Sequence, residues 1–316
     1  MKQTEALQLS GLGTEKRNPV TMELDEMTPL EIVSVMNQED QSVVRAVEAV
    51  LPQVAEIIAR ATDSLRRGGR IIYIGAGTSG RLGVLDAVEC PPTFGVTDQT
   101  VIGLIAGGER AFVKAKEGAE DDEGQGETDL QTIGLETRDI VIGLTASGRT
   151  PYVMGALLYA RKMGCATAAI SCNLNAEVSK AADIAVEVNT GAEVLSGSTR
   201  LKAGTAEKMI LNMISTASMV GIGKAYQNLM VDVRQTNEKL VCRAQNIVMQ
   251  GTGCTRECAV EALREANGEA KLAITKLLLS VDVKTAKQFL DQADGMVRQA
   301  IRNYACVKEN QPSLQK

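Results

Sequence analysis

The chain has 316 residues, of which 44% are hydrophobic and 23% charged, and a net charge of −5. This composition is typical of a globular protein, and the acidic balance argues against nucleic acid as a partner, because such binding needs a basic surface. The sequence has no histidine. A serine–histidine–acid triad is therefore excluded, and proton transfer is left to carboxylate, lysine, cysteine or tyrosine.

The seven cysteines are scattered and lack the paired short spacings of a zinc site. We interpret them as reduced thiols in the cytoplasm. No apolar run is long enough to cross a membrane, and the first residues lack the apolar core of a signal peptide. We therefore expect a cytoplasmic protein with no membrane partner and no metal.

Helical apolar spacing over residues 28–67 predicts two helices, with Thr28 and Pro29 at the start and Gly68 after the end. From Arg70 onward, short β-branched runs alternate with helical segments. Strands are predicted at 70–75, 100–106, 139–145, 166–171 and 183–188, and helices at 79–89, 109–118, 150–163 and 175–181. This alternation predicts an α/β fold with a doubly wound parallel sheet flanked by helices.

The remainder of the chain reads as helical, beginning with a long helix over 203–220. A separate unit is expected from about Asn246, with two short amphipathic helices in 255–279 and one or two more in 282–301. A small module of the ubiquitin-associated type and ordinary helical packing explain this pattern equally well. The predicted divisions are 1–50 (N-terminal helical segment), 51–245 (α/β domain with its long trailing helices) and 246–316 (C-terminal module). The polar residues 309–316 are expected to fray.

Two predicted strands run into loops of nearly the same chemistry. We call residues 75–81 (Gly-Ala-Gly-Thr-Ser-Gly-Arg) the first loop and residues 145–151 (Thr-Ala-Ser-Gly-Arg-Thr-Pro) the second loop. Each presents hydroxyls and backbone N–H groups at the start of a helix, where the dipole also favours an anion. Together they predict a phosphorylated small molecule held from both sides. The candidate binding residues are Gly77, Thr78, Ser79, Gly80, Ser147, Gly148, Arg149 and Thr150.

Two other interpretations of the loops stay open. The first loop matches G-x-G-x-x-G, the dinucleotide pattern, with Asp98 as the acidic residue about 20 positions on. However, Asp98 precedes the next predicted strand, and this interpretation leaves the second loop unexplained. Both loops also fit plain strand–helix turns with capping hydroxyls.

A parallel sheet with paired Ser/Thr loops resembles the sugar isomerase (SIS) family, which binds phosphorylated sugars. More narrowly, the sequence resembles the N-acetylmuramic acid 6-phosphate etherases, and the resemblance spans nearly the whole chain. It is carried by the segments 14–19, 75–83, 89–95, 106–109, 117–121, 146–152, 197–208 and 228–232. Glucokinase regulatory proteins share the fold and several motifs but bind sugar phosphates without transforming them.

The resemblance implies a carbon–oxygen lyase of the hydro-lyase class, in amino sugar and N-acetylmuramic acid catabolism during peptidoglycan recycling. The family cleaves the ether that joins D-lactate to C3 of the amino sugar. This reaction needs a base that removes the proton at C2 and an acid that protonates the departing lactate oxygen, but no redox cofactor or metal. Without histidine, two carboxylates are the natural pair. A non-catalytic sugar-phosphate regulator and an SIS-type isomerase are the alternatives, and a homodimer is expected from the family.

Glu89 is the predicted proton donor. The Pro91–Pro92 pair is expected to end its helix directly after it, at a helix C-terminus that disfavours further negative charge. The family's donor glutamate matches this position. The resemblance assigns the base to Glu120, although the residues alone do not separate Glu120 from Glu117.

Further candidates are less specific. Arg81 and Arg149 are placed to pair with the phosphate or the lactyl carboxylate. The resemblance puts the segment with Lys202, Glu207 and Lys208 in the site or the subunit contact. Asn237 and Lys239 are further candidates for a site shared between subunits.

Overall fold

The computed structural model describes residues 11–114, 116–233 and 238–309. The helices are α1 (Pro29–Glu48), α2 (Leu51–Arg66), α3 (Gly77–Phe94), α4 (Arg110–Val113), α5 (Glu123–Thr132), α6 (Pro151–Lys162), α7 (Lys202–Gly221), α8 (Glu238–Thr252), α9 (Arg256–Glu265), α10 (Ala270–Leu279), α11 (Val283–Asp291) and α12 (Val297–Glu309). The strands are β1 (Ile71–Gly75), β2 (Val101–Ile105), β3 (Ile140–Thr145), β4 (Ala166–Ser171), β5 (Ile184–Glu187), β6 (Ala225–Tyr226) and β7 (Leu229–Met230).

Strands β1–β5 form one parallel sheet in the order β2-β1-β3-β4-β5. The predicted fold class is thus confirmed, and each predicted strand lies within about a residue of the observed one. The chain leaves β1 toward β2 on one side and later returns to β3 on the other side. The point where the order reverses, between β1 and β3, is where ligands bind in open sheets of this kind.

Helices cover both faces of this sheet. On one face, a Cβ on Gly143 of β3 would lie 2.6 Å from Val153 and 2.9 Å from Leu157, both on α6. On the other face, a Cβ on Gly83 of α3 would meet Leu144 at 2.9 Å and Tyr73 at 3.0 Å. Small residues therefore let α3 and α6 pack directly on the strands that lead into the two loops.

By internal contacts, the chain divides into two compact units. The first contains the described residues up to Val88 together with Asp98–Ser215, and the second contains Glu89–Thr97 with the described residues from Thr216 onward. The boundaries near residues 50 and 245 remain a prediction from sequence.

The second unit has its own helical core. Side chains of α8–α12 bury one cluster, which includes Ile247, Leu263, Ile274 and Val297. The predicted helical C-terminal region is confirmed, whereas the likeness to a ubiquitin-associated module stays a prediction. The predicted fraying of 309–316 concerns residues of which 310–316 lie outside the described part.

The prediction that α3 ends at Glu89 is wrong, because the helix continues through Pro91 and Pro92 to Phe94. Two internal prolines remove two helical N–H donors, but the last turn is closed by the Gly95 N–H, which donates to the Pro91 carbonyl at 3.0 Å. Glu89 therefore lies inside the helix. The argument from a helix C-terminus does not apply to it.

The predicted helix over 109–118 is also wrong. Among the described residues of this segment, Arg110–Val113 are helical, and a 3-10 turn follows at Ala119–Asp121. The helix ends after Val113 because Lys114 has an extended backbone, and Gly118 has a positive φ that a helix does not accommodate. The segment predicted at 175–181 is a 3-10 turn, Glu177–Ala181, and α5 was not predicted. Within the described residues, no helix is both long and apolar enough to span a bilayer.

Candidate functional site

The first loop is a tight turn built on glycine backbone. β1 ends at Gly75 and α3 begins at Gly77, whose φ is +53°. A Cβ on Gly80 would lie 2.6 Å from the Gly75 carbonyl oxygen, so strand and helix touch through their backbones. The first N–H groups of α3, at residues 77–79, have no acceptor within the helix. This is the local geometry of an anion site.

Ser79 of the first loop is buried and faces inward. Its hydroxyl donates to Oε1 of Glu207 on α7 at 2.8 Å. Burial raises the pKa of Glu207 to about 7, and the Ser79 hydrogen bond opposes that rise. A titratable acid therefore lies directly behind the first loop.

The second loop is held by a network of hydroxyls. Thr145 Oγ1 lies 2.7 Å from Thr150 Oγ1 and 3.2 Å from Ser147 Oγ, and it accepts from the Gly148 N–H at 3.2 Å. Ser147 Oγ in turn accepts from the Arg149 N–H at 3.3 Å. The Thr150 side chain does not cap α6, although Thr150 is the N-cap residue.

The two loops begin side by side, because Gly75 of β1 pairs with Leu144 of β3 in the parallel register. Both loops thus follow the strands at the point where the sheet order reverses. The structure brings the predicted loop residues together at the expected ligand-binding edge of the sheet.

Glu120 lies on the 3-10 turn after Gly118 and is exposed. It lines a cavity of about 170 Å³ together with Gly77 and Arg81 of the first loop, Lys116 and Glu117. A candidate base and the first loop therefore share one cavity. Glu117 lines the same cavity, so this geometry does not choose between the two glutamates.

Glu89 is exposed on α3 and belongs to the second unit, whereas Glu120 belongs to the first. With the predicted helix end absent, its role as proton donor rests on the family resemblance alone.

The two loop arginines have protein partners. Arg81 donates to the carbonyl oxygens of Phe112 and Ala111, each at 2.9 Å. Arg149 lies 3.5 Å from the carboxylate of Glu177 on the protein surface. Arg81 is thus turned to the α4 segment, while Arg149 stays at the rim of the second loop.

The remaining candidate residues lie outside the first and second loops. Lys202 is buried and pairs with Glu39 at 2.8 Å, and Lys208 is exposed on α7. Lys239 lies in the first turn of α8, in the second unit, and Asn237 lies outside the described residues.

Two residues behind the second loop were missed from sequence. The Asn173 side-chain amide donates to the Ala146 carbonyl at 2.9 Å and to the Thr14 hydroxyl at 3.0 Å. Thr14 lies in one of the segments that carry the family resemblance, and this was the available signal. Asn173 had none.

A metal centre is not formed by the described residues, where no group of three or more acidic or cysteine side chains could hold an ion. The site therefore offers hydroxyls, backbone N–H groups, carboxylates and a few cations. These groups can bind a phosphate and move protons.

The open parallel sheet, with two hydroxyl-rich turns at the point where its strand order reverses, fits the SIS class of proteins. In agreement, the Glucokinase regulatory protein N-terminal SIS domain family matches residues 53–161. Relatives that are 53–56% identical over at least 93% of this chain show that it belongs to the N-acetylmuramic acid 6-phosphate etherase family.

That membership follows from relatives named N-acetylmuramic acid 6-phosphate etherase. The relative from Halalkalibacterium halodurans is 55% identical over 93% of this chain and 98% of its own length. The one from Bacillus cereus is 56% identical over 93% and 100%. The one from Vibrio campbellii is 53% identical over 94% and 96%.

Proposed function

We propose that this chain cleaves the D-lactyl ether of N-acetylmuramic acid 6-phosphate, giving N-acetylglucosamine 6-phosphate and D-lactate. The observation that carries the proposal is identity above 50% to etherases over nearly the full length of both chains. The geometry supports it, because two anion-binding turns lie side by side and a candidate base shares a cavity with one of them. Such an enzyme acts in amino sugar catabolism during peptidoglycan recycling.

The chemistry is an elimination followed by an addition. In the open-chain sugar, the C1 aldehyde acidifies the C2 proton, and Glu120 removes it. The electron pair forms the C2–C3 double bond while the C3–O bond breaks, and Glu89 donates a proton to the lactate oxygen. Water then adds at C3 and C2 regains a proton, so one water is consumed overall. This is the chemistry of a hydro-lyase, and carboxylates suffice for each proton transfer.

The phosphate in this proposal lies against both loops. The N–H groups that begin α3 and the hydroxyls of Thr78, Ser147 and Thr150 supply donors, and Arg149 adds a positive charge at the rim. No nucleic acid or membrane enters the reaction.

A homodimer in the cytoplasm completes the proposal. Apolar side chains are exposed beside strand β2 at the edge of the sheet, including Leu85 (49%), Val88 (62%) and Phe112 (38%). A second copy would cover them. A reducing compartment is supported because none of the seven cysteines, all within the described ranges, forms a disulfide.

The test is release of D-lactate from N-acetylmuramic acid 6-phosphate, with a chelator present. Glu89→Ala and Glu120→Ala are each expected to lower kcat by about 10²–10⁴-fold, the usual effect of losing a general acid or base. Glu117→Ala is the matched control, since Glu117 lines the same cavity, and it should keep nearly the wild-type rate.

Deuterium exchange separates the two roles. In D2O, Glu89→Ala should still exchange the C2 proton without releasing lactate, whereas Glu120→Ala should do neither. The opposite pattern would exchange the acid and base assignments.

The alternatives give different results. A regulator would bind the sugar phosphate and release nothing. An isomerase would interconvert aldose and ketose phosphates and would not need Glu89, because it has no leaving group to protonate.

A further inference from the structure

Glu207 is a buried carboxyl that the proposed reaction does not use. Only 1% of it is exposed, and Oε1 accepts the Ser79 hydroxyl at 2.8 Å. Among the described residues, Oε2 makes no hydrogen bond. Because burying an ionised carboxylate with an unpartnered oxygen is costly, this environment favours the neutral acid.

The groups on the segments next to β4 and α7 do not favour the ionised form of Glu207 either. The buried Cys172 thiol donates to the Ala203 carbonyl at 3.6 Å. Burial raises the pKa of Cys172 well above its usual value, so the thiol stays neutral. Glu193 is itself used by the backbone N–H groups that begin α7.

The charged groups on α3 and α7 are directed elsewhere. The Arg81 guanidinium binds carbonyls of the α4 segment, and Asp86 accepts from side chains of α7. Lys208, next to Glu207 on α7, is exposed. Burial raises the pKa of Glu207 to about 7 and the Ser79 hydrogen bond is what lowers it, so neither cause is a cation.

We propose that Glu207 is a positioning residue for the first loop that acts in its protonated form. It holds Ser79, and with it the first turn of α3, without placing negative charge behind a bound phosphate. The inference rests on the proposed function, because it needs a phosphate monoester at the first loop.

A coupling between proton and phosphate follows. Glu207 lies directly behind Ser79 of the first loop, so ionised Glu207 repels a phosphate dianion bound at that loop. The phosphate therefore binds better to the protein in which Glu207 is protonated. By linkage, phosphate binding must then take up a proton, and affinity must fall as pH rises through the titration of Glu207.

The experiment is calorimetric binding of N-acetylglucosamine 6-phosphate between pH 6.5 and 9. This range lies above the second ionisation of the phosphate, near pH 6. For the wild type we expect Kd to rise about tenfold between pH 7 and 8.5, with proton uptake seen as a heat that depends on the buffer. Glu207→Gln should show a change below about twofold and no proton uptake beyond that of the ligand. In turnover, KM should follow this pH dependence while kcat does not.

Ser79→Ala provides a second measurement should Glu207→Gln fail to fold. It removes the hydrogen bond that lowers the pKa of Glu207, so the break in the Kd profile should move to higher pH. An unchanged break would overturn the inference.

The outcomes separate this inference from the proposed function. Equal pH dependence in wild type and Glu207→Gln would overturn the inference alone. Failure of the wild type to bind the sugar phosphate at any pH in the range would overturn the proposed function, and the inference with it.

Discussion

The first and second loops have nearly the same sequence chemistry but differ in what lies behind them. In the first loop, the Ser79 hydroxyl is bound to a buried carboxyl, Glu207, whose pKa burial raises to about 7. In the second loop, the Thr145 hydroxyl is bound to other hydroxyls and a backbone N–H. One turn is therefore supported by a group that titrates near neutrality, and the other by groups that do not titrate.

The properties of a hydroxyl-rich turn therefore depend on the partners of its hydroxyls as much as on its own residues. Ser79 and Thr145 are both buried hydroxyls in loops that are proposed to hold the phosphate. Of these two hydroxyls, that of Ser79 makes its loop sensitive to pH, because it is bound to Glu207. Four substitutions test this contrast through the free energy of unfolding, in order of decreasing effect.

The largest effect is expected from Glu207→Gln, as a function of pH. The native state holds the Glu207 proton up to about pH 7, whereas the unfolded chain loses it near the ordinary value of 4.5. The native state therefore binds more protons in this window, and its stability falls as pH rises. Relative to the variant, the wild type should lose roughly 3 kcal/mol between pH 4.5 and 8, measured by urea unfolding.

Glu120→Gln is the control, because its side chain is exposed. The difference in free energy of unfolding between Glu120→Gln and the wild type should not show the pH dependence expected for Glu207→Gln. Parallel stability curves for wild type and Glu207→Gln would show that the carboxyl behind the first loop does not titrate as inferred.

Gly80→Ala breaks the first loop by sterics. The added Cβ would lie 2.6 Å from the Gly75 carbonyl oxygen, and backbone on both sides cannot move aside cheaply. Overpacking of this kind should lower the free energy of unfolding by about 2–3 kcal/mol and weaken sugar-phosphate binding. Gly124→Ala is the matched control, since the nearest atom to its Cβ is 3.6 Å away, and it should be neutral or slightly stabilising.

The local parts of the structure were predictable from sequence, because their signals are local. Short β-branched and apolar runs predicted the five strands, and β4 lies at residues 166–171 as expected. The two loops followed from glycines and hydroxyls next to those runs. The predictions failed where tertiary contacts determine the local structure.

Helix α5 is one such failure. Its sequence contains Gly124 and Gly126 and little apolar periodicity, so propensity does not indicate a helix. A Cβ on Gly126 would lie 2.1 Å from the Tyr152 carbonyl oxygen of α6, which shows that close packing of the two helices requires glycine there. Likewise, Ser79 and Glu207 are 128 positions apart, and no spacing rule connects them.

Thr145→Val tests the neutral support of the second loop. It removes a buried hydroxyl that contacts Thr150, Ser147 and the Gly148 N–H. We expect a loss of about 1–2 kcal/mol in the free energy of unfolding, and the same loss at pH 5 and pH 8. Thr128→Val removes an exposed hydroxyl on α5 and should cost almost nothing. A pH-dependent cost for Thr145→Val would erase the contrast between the two loops.

Arg149→Gln should have the smallest effect on stability and separates folding from binding. Its ion pair with Glu177 is 3.5 Å long, and the two side chains are 30% and 55% exposed, so the loss should stay below about 0.5 kcal/mol. The guanidinium lies at the rim of a loop proposed to hold a phosphate, where a charge-assisted hydrogen bond matters more. We therefore expect sugar-phosphate binding to weaken by about tenfold, measured by calorimetry at pH 7. Glu177→Gln should have the opposite effect on binding, because it removes the carboxylate that shares this arginine. If Arg149→Gln instead unfolds the chain while Glu177→Gln leaves binding unchanged, Arg149 is a structural residue and the phosphate is held by backbone N–H groups and hydroxyls alone.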